Sequence, residues 1–146
     1  MVATQKRKRA DGQISSLAGE FFVAAELLKR EIQTSVTFGN AKSIDLLARN
    51  PRTRRSFAVQ VKALRTRNFF PLSPKKVEPD HIYVFVLLNR PGKAVQYFIV
   101  PGADLANAPE KFGKYFQDPT MPAIYPKVLS DLGYESAWSL FESNAT

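Results

Sequence analysis

At 146 residues with 45% hydrophobic content, the chain has the size of one domain with a single core, and its lack of cysteine excludes disulfide frameworks and thiolate metal sites. No apolar run approaches the roughly eighteen residues of a membrane span, and a basic N-terminus stands where a secretory signal needs an apolar segment, which predicts a soluble, intracellular, cytoplasmic protein. The 21 Lys and Arg outnumber the 13 Asp and Glu for a formal charge of +8, a surplus that suits a polyanionic partner, nucleic acid first, although basic residues kept for solubility give the same balance.

Residues 1–13 carry Lys6-Arg7-Lys8-Arg9 with few apolar neighbours and read as a basic flexible arm: a phosphate contact, a solvated tail or a targeting address. Residues 14–146 read as one domain. From Ser15 to Ile32, Leu17, Phe21, Phe22, Ala25, Leu28 and Ile32 recur at helical intervals and predict an amphipathic helix, capped by Ser15 or Ser16, with Glu26, Lys29 and Arg30 opposite. Thr34–Phe38 is β-branched and aromatic and stops at Gly39-Asn40, predicting a first strand. Ser43–Ala48 and Ser56–Leu64 predict a hairpin around the turn-rich Arg49–Arg55.

The proline-rich Phe70–Pro74 predicts irregular chain, followed by a helical turn through Lys75-Lys76 that Ser73 can cap. His81–Leu88 and Ala94–Val100 predict two strands about the turn Asn89-Arg90-Pro91-Gly92, the first apolar on both faces and therefore deep in the sheet. A short helix over Asp104–Phe112, an irregular stretch over Pro119–Pro126 and a last helix over Val128–Phe141, interrupted at Gly133, complete the chain. Leu132, Trp138 and Phe141 are expected on the core. The sum is an α/β fold with a central mixed sheet of about five strands flanked by helices.

Four polar residues stand out against this pattern. Alternation along a strand puts Gln60 and Lys62 on one side, and a four-residue turn over Pro51–Arg54 would pair Asp45 with Gln60. Glu20 lies about 20° from Leu27 and about 40° from Ala24 on the helical wheel, inside the apolar arc, where a carboxylate must be paired or ligated. Gly19 before it thins the helix surface. With no thiolates available, a metal here is held by oxygen ligands or by the lone His81, a chemistry that favours Mg2+ or Mn2+ over structural zinc. Asp45, Gln60 and the carbonyl of Val61, with Glu20 directly or through water, form such a set, and Lys62 beside it could orient or deprotonate water.

Glu20 in the first helix, Ser43-Ile44-Asp45-Leu46-Leu47 and Phe57-Ala58-Val59-Gln60-Val61-Lys62 resemble the PD-(D/E)xK nuclease superfamily of restriction-type enzymes and junction resolvases. The resemblance implies a restriction endonuclease-like core of helix, three-strand meander, helix and further strand over about residues 14 to 100. It implies a metal-dependent DNA endonuclease working as a homodimer, with Asp45 as metal-binding aspartate, Gln60 at the second acidic position, Lys62 as catalytic lysine and Glu20 as helix glutamate. Ile44 replaces the nominal proline, and Gln60 replaces Asp or Glu.

Other readings stand beside these. Asp45 paired with Lys42 or Arg49, Lys62 as a solvent-facing strand lysine and Glu20 in a structural ion pair would need no metal. His81 can be a general base or a strand-initiating residue held by local hydrogen bonds, the latter preferred. Phe69-Phe70 can stack bases or pack. Arg49, Arg52, Arg54, Arg55, Arg65, Arg67, Lys75 and Lys76 form the densest positive region, a DNA-docking surface or a set of solvated turns. The alternative to an enzyme is a catalytically inactive nucleic-acid-binding module on a nuclease-like fold, Gln60 marking the lost acid.

Overall fold

The computed structural model describes residues 2–41 and 43–144, with residues 2–11 as backbone only. Helix α1 (Val2–Lys29) takes in the backbone of the basic run; the side chains assigned above to an arm lie outside the described residues up to residue 11. The helix closes where Glu31 adopts φ 63° and Ile32 N–H donates to Leu27 O at 3.0 Å, a left-handed C-terminal cap that ends it before Ile32.

The face that α1 buries is not the expected one. Ser15, Gly19, Val23, Ala24 and Leu27 face the sheet, whereas Leu17, Phe21, Phe22, Ala25 and Leu28 face solvent. The helix carries two apolar stripes, and the one with small residues wins because it can approach closest. A Cβ added to Gly19 would stand 2.7 Å from Ala63 Cβ, so the glycine is what lets the helix settle on the sheet.

Strands β1 (Gln33–Val36), β2 (Leu46–Asn50) and β3 (Arg55–Leu64) form an antiparallel meander. A two-residue strand β4 (Phe70–Pro71) follows, then β5 (His81–Leu87), parallel to β3, and β6 (Gln96–Pro101), antiparallel to β5. The central sheet is therefore five-stranded and mixed, in the order β1-β2-β3-β5-β6, flanked by helices.

Several boundaries differ from expectation. The first strand stops at Val36 because Phe38, Gly39 and Ser43 all take positive φ in the connection to β2. That strand starts at Leu46, leaving Asp45 just outside it. The proline-rich segment is not wholly irregular, since β4 pairs with β7 (Ala123–Ile124) in a small second sheet. Nor is there a second α-helix between β3 and β5: the one helical turn of that crossover is the 3₁₀ turn at Pro74–Lys76, and Ser73 occupies its cap position without a side-chain hydrogen bond.

Strand β5 is buried on both faces, as its unbroken apolar run predicts. Ile82, Val84 and Val86 join Val23, Leu27, Trp138 and Phe141 on the α1 side, while Tyr83 and Phe85 join Phe70, Phe98, Phe112 and Phe116 on the other. Each such large side chain contributes about 1.5–3 kcal/mol on burial. The second layer is built by α2 (Gly102–Asn107), 3₁₀ turns at Pro109–Phe112 and Lys114–Gln117, and α3 (Pro126–Asp131); the short α4 (Ser139–Glu142) completes the first.

The expected helix over Asp104–Phe112 is thus split at Ala108, and that over Val128–Phe141 is two. Gly133 takes φ 86°, and the chain returns to β6 through Ile99 N–H to Tyr134 O (3.0 Å) and Ser136 N–H to Tyr97 O (2.8 Å). Trp138 and Phe141 are buried; Leu132, beyond the break, stays exposed. Among the described residues no helix is long and apolar enough to cross a membrane.

Candidate active site

The β2–β3 register pairs Leu46 with Val59 and Asn50 with Arg55, with Pro51–Arg54 as the turn between them. Continued by one residue, it sets Asp45 across from Gln60, as the spacing predicts. Here the ladder changes character. Asp45 N–H still donates to Val59 O (2.9 Å), but Val61 N–H is taken by the Asp45 carboxylate, Oδ2 accepting at 2.7 Å. Because N–H and C=O of one strand residue lie on the same edge, the Val61 carbonyl faces this same opening.

Glu20 arrives from α1. With Gly19 seated on Ala63 and Val61, the next side chain overhangs the edge of β3, and a cleft of about 360 Å³ is lined by Ser16, Glu20, Asp45, Val61, Lys62 and Ala63, with Phe70 and Pro71 behind. Burial raises the proton affinity of Glu20, and the neighbouring Asp45 charge raises it further. Burial likewise raises that of Asp45, against the opposing pull of the Val61 N–H and the Lys62 ammonium. Among the described residues the ion pairs are Arg30–Glu26 and Lys127–Asp131, so neither cleft carboxylate is in one.

Gln60 sits differently from its expected place. It is buried (6% exposed) and lines not the carboxylate cleft but an adjoining groove of about 700 Å³, which meets the cleft at Lys62 and Pro71. Its Nε2 donates to Tyr83 Oη (3.1 Å) and lies 2.9 Å from His81 Nδ1. That fixes the amide, and its Oε1 has no hydrogen-bond partner among the described residues while not being a buried orphan.

The parallel β3–β5 register puts Gln60 opposite Tyr83, which explains a contact that the linear sequence hid. The only hint was a histidine and a tyrosine at alternate positions of an otherwise apolar strand. His81 opens β5 with its N–H on Glu78 O (3.1 Å), as preferred, but its ring is paired with Gln60, a residue of the site, and not locally. Tyr83 Oη also accepts Glu78 N–H at 2.9 Å, so Tyr83→Phe leaves two donors short of a partner. Its expected cost is about 1–3 kcal/mol, measured by urea unfolding at constant m-value.

Among the described residues no three Asp, Glu, His or Cys side chains come together as a metal-holding group. The oxygen donors near the cleft are two carboxylates, one main-chain carbonyl and one amide oxygen. That set suits a hard dication of the Mg2+ or Mn2+ kind, with Val61 O and Gln60 Oε1 needed to supplement Asp45 and Glu20.

The basic residues divide into two groups. Arg49, Arg52, Arg54 and Arg55 lie at the far end of the hairpin, about 15 Å from Asp45 and Gln60 at about 3.3 Å per strand residue. Two of them serve the C-terminus there: Arg52 donates to Glu142 O (3.5 Å) and Arg55 to Ser143 O (3.1 Å). Arg65, Arg67, Lys75 and Lys76 follow the Lys62 end of β3, all exposed, and Lys76 borders the groove. Phe70 is buried in the core; Phe69 lines the groove. Neither protein-family models nor curated proteins give a match to this chain.

Proposed function

We propose that this chain is a metal-dependent deoxyribonuclease of the PD-(D/E)xK type, an endonuclease hydrolysing phosphodiester bonds in DNA and acting in the cytoplasm as a homodimer. The observation that carries the reading is one cleft holding two carboxylates, Glu20 and Asp45, that pair with no cation among the described residues, beside Lys62, at the point where β2 parts from β3; the Lys42 expected as a partner of Asp45 lies outside the described residues. Asp45, Glu20 and the Val61 carbonyl would hold Mg2+ or Mn2+ in the cleft, with Gln60 Oε1 supplementing them from the adjoining groove. The bound cation supplies a more acidic water and positive charge against the scissile phosphate.

The chain's own groups do the rest. The Val61 N–H holds Asp45 by one oxygen, which leaves the other for ligation. Lys62 presents its ammonium on the cleft wall, where it donates to a non-bridging phosphate oxygen, orients the attacking water and offsets charge gained in the transition state. Raised proton affinity comes first from burial at both carboxylates, with the Asp45 charge adding to it at Glu20, and a bound cation would oppose it.

The test is cleavage of supercoiled plasmid and of branched DNA with Mg2+ or Mn2+, native protein against Asp45→Ala and Lys62→Ala. Native cleavage, lost by about a hundredfold or more in each variant, is expected on the scale of removing one preorganised electrostatic group. Binding without cleavage under either metal favours the inactive module instead. Gln60→Glu then asks whether the missing charge is the reason.

A further inference from the structure

The cleft does not end at its carboxylates. On one side it shares Ser16, Glu20 and Asp45 with a depression of about 800 Å³ walled by Leu17 and Phe38; on the other it shares Lys62 and Pro71 with the groove bordered by Phe69, Ser73, Lys76 and Met121. The three lie in a row across the site, each sharing wall residues with the next, and together they trace a channel's course. Apolar surface stands at both ends: Phe38 is 66% and Met121 67% exposed.

Phe38 is held where it is. It has φ 53°, a conformation that costs a bulky residue free energy, and it makes an edge contact with Phe21 at 6.1 Å. The residue before it ties the turn to the site: Thr37 Oγ1 donates to Ile44 O at 2.6 Å and Thr37 N–H to Asp45 O at 3.0 Å. An exposed aromatic in a strained turn, braced against the backbone of Asp45, is therefore set at a defined place relative to the carboxylates.

We propose that this channel takes a single unpaired DNA strand, one base stacking on Phe38 beside the carboxylates and the phosphates passing Lys62 and Lys76 beyond them. The proposal rests on the nuclease reading for the identity of the polymer. A duplex hides its base faces within its own stack and offers phosphates and groove edges, for which apolar walls do nothing. An unpaired strand offers a π-face at every base and a charge at every phosphate, matching aromatic surface interleaved with lysine. A second copy of a chain of charge +8 is the poorer complement to a lysine-lined groove.

The experiment is fluorescence anisotropy of a labelled oligothymidylate and of a labelled duplex of equal length, in EDTA, with native protein, Phe38→Ala, Phe38→Trp and Lys76→Ala. The single strand is expected to bind tighter than the duplex. Phe38→Ala should weaken it about five- to a hundredfold with little effect on the duplex, and Phe38→Trp should retain it. Lys76→Ala should lower the slope of log affinity against log salt by about 0.7, one phosphate contact on a single strand. Equal or tighter duplex binding, or single-strand binding indifferent to Phe38→Ala, overturns the proposal. So does a Phe38→Ala variant that binds the single strand normally but turns a sedimenting dimer into a monomer, because the aromatic face would then be a contact between copies. No metal or turnover enters the assay. Strand binding without cleavage of any DNA would sink the nuclease reading alone, and cleavage of a single-stranded oligonucleotide indifferent to Phe38→Ala would sink the channel alone.

Discussion

Asp45→Asn is expected to lower DNA cleavage by about 10²–10³-fold while raising the melting temperature of the metal-free protein. The first effect follows from removing a charge that the proposed cation and transition state both need. The second comes from the proton affinities: burial holds the Asp45 carboxyl above its ordinary range despite the Val61 N–H and Lys62, and Glu20 stands above its own for burial and for the Asp45 charge. A carboxyl whose folded proton affinity exceeds its unfolded one destabilises the fold when ionised. Stability from this source is therefore greatest below the unfolded value and falls as pH rises through the folded one, so at neutral pH the cost is fully present. Asparagine abolishes that charge and can keep the Val61 hydrogen bond through its carbonyl oxygen. Melting curves should show the gain at pH 7 and its disappearance near pH 3, and added Mn2+ should raise the melting temperature of the native protein more than that of the variant. A variant that melts lower at pH 7 would mean that the carboxylate is a structural partner and the metal reading is misplaced.

The largest loss of stability is expected from Gly102→Ala. Gly102 opens α2 against the turn that precedes β5, and a Cβ there would collide with the carbonyl oxygen of Glu78 and stand 2.7 Å from that of His81. Both are backbone atoms, which no rotamer change can move. Either α2 lifts off β5, or the 78–81 turn shifts and takes with it the Glu78 N–H bonded to Tyr83 Oη and the His81 ring against Gln60. Overpacking of this kind costs upward of about 3 kcal/mol, out of a total that for a domain is about 5–15 kcal/mol. The variant should melt about 10 °C or more below the native protein, or fail to accumulate in soluble form. Gly12→Ala is the control. A Cβ at Gly12 meets nothing within 4 Å, and alanine in a helix is expected to gain about 0.5–1 kcal/mol.

The elements that read most clearly were those whose pattern depends on a few neighbours. The two-faced apolar run of β5 and the Asn89–Gly92 turn declared themselves, as did the hairpin register that sets Asp45 across from Gln60. Alternation and turn length are local properties. The face of α1 was misread because Leu17, Phe21, Phe22 and Leu28 form the more apolar stripe, and hydropathy alone cannot say that a stripe containing Gly19 packs closer. The break of the last helix at Gly133 is legible in the sequence, but its extent is not, because Tyr134–Ser136 return to β6 in a long-range pairing with no local signal.

The same division runs through the site. Residue type and spacing along one chain determined that Glu20, Asp45, Gln60 and Lys62 were the polar residues out of pattern, because a charge at a core-facing position is costly wherever the chain runs. Only the tertiary structure decided how they are shared out. The parallel pairing of β3 with β5 draws the Gln60 amide to Tyr83 and His81 and leaves Glu20, Asp45 and Lys62 in a cleft of their own. The length of β2 carries Arg49, Arg52, Arg54 and Arg55 away to the far end of the sheet. Both outcomes depend on which strands become neighbours, and that is settled by how the whole core packs.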